Sequence, residues 1–105
     1  MNKWALITGA SSGIGAALAR VYAEERHNVI LVARREQKLQ ALADELRAEG
    51  AEVHVIPMDL SLETSAQQLF DAVQELDVHV DVLVNNAGFT YLGRFVDMDL
   101  GAAQD

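Results

Sequence analysis

Short apolar runs alternate with amphipathic stretches along the whole chain. Trp4–Thr8, Val29–Ala33, Val53–Pro57 and Val82–Asn85 are mostly apolar and rich in β-branched residues. That is the pattern of strands covered on both faces, as in a parallel sheet. Between the runs the period changes to that of a helix. Ile14, Leu18, Val21 and Tyr22 fall on one face of a first helix, and Leu39, Leu42, Ala43 and Leu46 on one face of a second. Leu62, Ala66, Leu69, Val73 and Leu76 do the same for a third.

The breaks between these stretches agree with that division. Gly50 stands where the second helix should stop, and Ser61 where the third could be N-capped. Strand, helix, strand, helix, strand, helix, strand predicts an α/β domain with parallel neighbours and right-handed crossovers. No internal repeat or low-complexity tract interrupts it. The stretch Phe89–Asp105 reads as a loop that begins a fourth helix near Asp99.

Composition narrows the function classes. A chain of 105 residues suits one domain, 1–105, and half of its residues are hydrophobic, enough for a packed core. No apolar run approaches the ~20 residues of a membrane span. Trp4–Ile7 runs straight into a glycine- and serine-rich loop, so no export leader is expected and a cytoplasmic location is the default. With no cysteine, disulfides, thiolate catalysis and thiolate zinc sites are excluded. A formal charge of −8 argues against nucleic acid or an anionic membrane as partner. An acidic protein that binds a phosphorylated ligand needs local devices for it, which makes the few basic residues informative.

One such device follows the first strand. In Thr8-Gly-Ala-Ser-Ser-Gly-Ile-Gly15, Gly9 permits a tight turn, Gly13 lets backbone approach a pyrophosphate, and Gly15 lets the helix pack closely on the sheet. The helix that opens there presents unpaired N–H groups and about half a positive charge, with Ser11 and Ser12 adding hydroxyl donors. Such a glycine pattern alone is weak, but it stands here between a strand and an amphipathic helix, the context the motif requires.

This loop resembles the TGxxxGxG signature of the short-chain dehydrogenase/reductase family. Asn85-Asn86-Ala87-Gly88, immediately after the fourth strand, resembles the NNAG of the same family. The resemblance covers the whole chain. It implies a Rossmann-type doubly wound sheet in strand order 3-2-1-4, with the chain ending before the fold's remaining strands. It also implies an oxidoreductase acting by hydride transfer on a carbonyl or secondary alcohol.

The end of the second strand bears on the cofactor. NAD-binding domains of this type carry Asp or Glu there for the adenosine ribose. By resemblance Ala33 takes that position, followed by Arg34 and Arg35. Ala33 leaves room for a 2′-phosphate, and Arg34 can meet it with a planar fork of donors. Arg35 either assists or points to solvent. NADP(H) is therefore expected in preference to NAD(H). The family often has a second basic residue in the glycine loop, where Ser12 stands here. The resemblance further assigns the adenine to Asp59 and Leu60, and the cofactor's nicotinamide side to Asn85, Ala87 and Gly88. Ile14 joins the glycine-loop contacts, and Asn86 is expected to brace the sheet through its side-chain amide.

Family catalysis uses a Tyr-x-x-x-Lys pair, an upstream Ser and an Asn on the fourth helix. The tyrosines are Tyr22 and Tyr91, and four positions on stand Arg26 and Phe95. No catalytic residue is therefore assigned within the 105, and the helix Asn is expected just beyond Asp105. Tyr22 reads as core. His27, His54 and His79 show no ligand spacing, so no metal is expected. The alternative to an enzyme is a catalytically inert dinucleotide-binding sensor or interaction module. With few elements on one face and an uncovered fourth strand, marginal stability or self-association through that edge is expected.

Overall fold

The computed structural model describes residues 3–11, 13–61 and 64–86. Four strands alternate with three helices: β1 (Trp4–Thr8), α1 (Gly13–Glu24), β2 (Asn28–Ala33), α2 (Glu36–Ala48), β3 (Val53–Pro57), α3 (Ser65–Leu76) and β4 (Val80–Asn85). All neighbours are parallel, in the order β3-β2-β1-β4. The expected Phe89–Asp105 loop and helix start lie outside the described residues, as does Leu62.

β1 and β2 are buried along their whole length, and their alternate residues feed two separate cores. Leu6, Ile30, Val32 and Ile56 pack with Leu69 and Val73 of α3. Ala5, Ile7, Val29 and Leu31 pack with Ala19 of α1 and Leu39, Leu42, Ala43 and Leu46 of α2. Among the described residues, two helices therefore cover one face and one covers the other, which makes the sheet doubly wound. Among the described residues, β4 pairs on one side only, with β1. Its start is irregular: Trp4 is opposite Val80 and Ala5 opposite Val82, so Asp81 bulges out. The Asp81 carboxylate accepts the Trp4 N–H at 2.9 Å, satisfying a donor that the shifted ladder would otherwise strand.

The apolar faces expected for α2 and α3 are those the structure buries, with Leu76 half-buried at the end of α3. α1 corrects the expectation. Its buried residues are Gly15 and Ala19, while Ile14 is 70% and Val21 46% exposed, and Leu18 and Tyr22 are half-buried. The helix is turned by about one residue from the face that the large apolar side chains suggest. The cause is close approach, because the contact with β1 is made through residues without bulk. Half-buried Tyr22 stands edge-on to His27 at 5.2 Å.

The stop of α2 is as expected. Gly50, at φ 102°, closes it with Gly50 N–H donating to Arg47 O at 3.0 Å and Ala51 N–H to Leu46 O at 3.2 Å. A Cβ on Gly50 would meet nothing within 4 Å, so Gly50→Ala isolates the backbone cost. It should destabilise the fold by about 1–2 kcal/mol, seen as a lower urea midpoint at unchanged slope. Ser61 differs from expectation. The residue flanking α3 is Thr64, with no side-chain cap, and Ser61 instead closes a turn onto Asp59.

Candidate functional site

Of the residues singled out in the sequence, Gly9, Ser11, Arg34, Arg35 and Leu60 meet at the carboxyl ends of the strands. After Thr8 the chain turns sharply at Gly9, whose φ of 66° is left-handed. The Ala10 N–H then donates to Val32 O at 3.3 Å, which pins the turn against β2. α1 starts at Gly13. A Cβ on Gly15 would lie 2.1 Å from the Gly9 carbonyl oxygen, a contact no side-chain movement can relieve. A Cβ on Gly13, in contrast, would meet nothing within 4 Å. Packing among the described residues therefore does not account for Gly13. Open space in front of an amide at a helix start suits an anionic ligand.

Beside this loop a hollow of about 270 Å³ is lined by Gly9, Ser11, Ala33, Arg34, Arg35 and Leu60, with Met58. The glycine turn, the end of β2 and the segment after β3 are thus brought together, although they are far apart in sequence. Arg35 flanks the start of α2 in extended conformation and makes no side-chain cap. Two arginines at the positive end of a helix dipole are mildly unfavourable unless an anion joins them. A larger hollow of about 550 Å³ lies at the other end of the sheet, among Arg26, His27, Asn28 and Gly50. Of the two, the smaller joins the strand ends with the glycine turn, where ligands of open α/β sheets bind.

Asp59 is engaged on one oxygen. Its Oδ1 accepts the Ser61 N–H at 2.9 Å and the Ser61 hydroxyl at 2.6 Å. The Ser61 hydroxyl, then the Ser61 amide, and more weakly the charge of Arg34 hold this carboxyl below the usual range. Such a group stabilises its turn fully above the ordinary Asp pKa of about 3.9 and loses that as pH falls through the lower folded value. At neutral pH it is ionised, with Oδ2 available to accept from an amine. The Ser65 hydroxyl donates to the Asp59 carbonyl at 2.7 Å, fixing the segment to α3.

At the end of β4, Asn85 and Asn86 are tied to the glycine turn. Thr8, fully buried, donates its hydroxyl to Asn85 Oδ1 at 3.1 Å, with Val84 O at 3.4 Å. Asn86 Nδ2 donates to Gly9 O at 3.3 Å, so the bracing expected of this amide runs to the loop itself. Ile14, a candidate from the sequence, sits exposed on the first turn of α1 and does not line the hollow. Ser12, Ala87 and Gly88 lie outside the described residues. Sequence reasoning overlooked Met58 and the Thr8–Asn85 bond. Met58 could have been noticed from its place just past β3, whereas nothing local marks Thr8 as a partner of Asn85.

The histidines do not converge. His54 stacks on Trp4 at 5.1 Å, and His79 lies 3.7 Å from Asp81. No cluster able to hold a metal exists among the described residues. No helix among them is long and apolar enough to cross a membrane.

Comparison with known proteins fits this arrangement. The oxidoreductase UcpA of Salmonella typhimurium is 42% identical over 97 residues, covering 92% of this chain and 36% of its own length. An alcohol dehydrogenase from Thermococcus sibiricus, complexed with 5-hydroxy-NADP, superposes with a TM-score of 0.74 at 39% identity, over 79% of this chain and 36% of that one. L-sorbose reductase from Gluconobacter frateurii, complexed with NADPH and L-sorbose, gives a TM-score of 0.77 at 36% identity, over 83% of this chain and 34% of that one. The chain spans about a third of the length of the relatives it matches. A family model described as short chain dehydrogenase matches residues 3–105. With its strand order, its glycine turn and this match, the chain belongs to the short chain dehydrogenase family.

Proposed function

We propose that residues 1–105 are the NADP(H)-binding domain of an oxidoreductase that exchanges hydride with a carbonyl or secondary alcohol. The observation that carries the reading is the hollow in which Ala33, without a carboxylate, is flanked by Arg34 and Arg35 and faces the glycine turn. An acidic residue at the end of β2 would repel a 2′-phosphate, and two guanidinium groups attract one. The open space at Gly13 adds a second line of support.

In this reading the amides around Gly9, Gly13, Ile14 and Gly15, with the Ser11 and Ser12 hydroxyls, hold the pyrophosphate. Arg34 and Arg35 hold the 2′-phosphate. The free Oδ2 of Asp59 accepts from the adenine amine, and Leu60 packs on the base. Asn85, Ala87 and Gly88 pass beside the ribose on the nicotinamide side. The nicotinamide, when bound, supplies the hydride or takes it up. Two similar proteins hold such cofactors, 5-hydroxy-NADP in one and NADPH in the other, which supports the reading.

Titration of the purified protein with NADPH and NADH, followed by thermal unfolding, tests the binding. NADPH at 100 times its Kd should add about 2.7 kcal/mol of stability, and NADH at the same concentration much less. A larger shift with NADH overturns the reading of Arg34 and Arg35. Residues 1–105 hold no Tyr-x-x-x-Lys pair and so test binding alone. The chemistry is tested with a chain that carries such a downstream segment: consumption of NADPH with aldehydes and ketones supports the enzyme, and NADPH binding without reduction supports the inert module.

A further inference from the structure

Basic residues are unevenly placed in this acidic chain. Three of its eight Lys and Arg residues, Arg34, Arg35 and Lys38, fall within five positions. Arg20 and Arg47 each pair with a carboxylate, at 2.6 Å to Glu45 and 3.6 Å to Asp44. Among the described residues, Arg34, Arg35 and Lys38 form no salt bridge.

Lys38 stands on the face of α2 that meets α1. With Ala10, Ser11, Ala16, Arg20 and Glu45 it borders a groove of about 330 Å³ between the two helices. Ser11 borders both this groove and the hollow of Arg34 and Arg35. Ser11 therefore stands between a hollow lined by Arg34 and Arg35 and a groove lined by Lys38. The carboxylate of the groove is already occupied: Arg20 takes both oxygens of Glu45, at 2.6 and 3.1 Å. That pairing pulls the Glu45 carboxyl below its usual range. Lys38 is the cation of the groove with no carboxylate of its own.

We propose that Lys38 is a specificity-determining residue, whose ammonium meets the 2′-phosphate of NADP(H) from the α1–α2 groove, on the side away from Arg34. The proposal rests on the NADP(H) reading. A phosphate monoester offers three acceptor oxygens. Each of these oxygens accepts more than one hydrogen bond, so the planar guanidinium forks still leave acceptor sites for a compact, freely rotating ammonium. Lys38 would thus stand in for the second basic residue that Ser12 does not supply.

The test measures Kd for NADPH and for NADH with the wild type, Lys38→Ala, Lys38→Arg and Arg34→Ala. Lys38→Ala should weaken NADPH about 5–10-fold, as expected for one charge-assisted contact at a partly exposed site. NADH affinity and the unliganded unfolding midpoint should stay unchanged, and Lys38→Arg should recover most of the loss. Unchanged NADPH affinity in Lys38→Ala, alongside a loss in Arg34→Ala, refutes the role of Lys38 and leaves the NADP(H) reading standing. Equal losses for both cofactors assign Lys38 a structural part and also refute it. A wild type that prefers NADH removes the reading and the proposal together. A second readout is independent of affinity. Phosphorus NMR of bound NADP+ should show the 2′-phosphate titrating below its free value, about 6, and closer to that value in Lys38→Gln. Identical titration in both proteins counts against the contact.

Discussion

Gly15→Ala is expected to lower the unfolding midpoint by roughly 12 °C or more, whereas Gly13→Ala, two positions away, should leave it unchanged or slightly raised. A Cβ on Gly15 would lie 2.1 Å from Gly9 O and 2.8 Å from Gly9 C. Both atoms belong to a turn that is already left-handed and held by Ala10 N–H to Val32 O and Asn86 Nδ2 to Gly9 O. Relief requires α1 to move off the sheet, which costs about 3 kcal/mol or more. Gly13 has free space in front of it, and alanine in the first turn of a helix is favoured by up to about 1 kcal/mol. Its cost should appear in binding instead: a methyl group between the backbone and a pyrophosphate should weaken both NADPH and NADH at least about tenfold. Thermal unfolding with and without cofactor checks both variants. A Gly13→Ala protein that binds as the wild type would show that the open space at Gly13 is not a phosphate seat.

Arg34→Asp should reverse the cofactor preference. Arg34 lines the hollow beside Ala33, and its charge reaches Asp59 across the ends of β2 and β3. Removing a charge-assisted contact costs about 1.5–3 kcal/mol, and an aspartate adds repulsion against a dianion. NADPH should weaken roughly 100-fold, while NADH gains an acceptor for its ribose hydroxyls and holds or improves. The loss should shrink as salt is raised, because screening weakens both the lost attraction and the added repulsion. Calorimetric titrations at two ionic strengths check this. Unchanged selectivity would remove Arg34 from the site and leave Arg35 to be tested in its place.

The two variants act on different links of the same chain of causes. Gly15 decides how near α1 stands to β1, and so where the helix amides are aimed. In the proposed reading, Arg34 selects which dinucleotide those amides retain. The bonds of Thr8 to Asn85 and of Asn86 to Gly9 couple the two ends of the site, so the glycine turn and the end of β4 hold their positions together.

Much of this architecture was determined by the sequence alone. β1 and β2 are continuous apolar runs because both of their faces are covered, and that leaves a local signature. The buried stripe of α2, its stop at Gly50 and the glycine turn are equally local, because each depends on side-chain period or backbone freedom within a few residues. The tertiary structure decided the rest. The rotation of α1 was hidden because its buried contacts are Gly15 and Ala19, and the absence of bulk gives no hydrophobic signal. Ser61 could cap a helix or close a turn, and only the position of Asp59 selects the turn. The bonds from Thr8 and Asn86, and the place of Lys38 in the groove beside Ser11, join residues far apart along the chain. Such contacts exist only once parallel strands bring their carboxyl ends together, and no local periodicity encodes them.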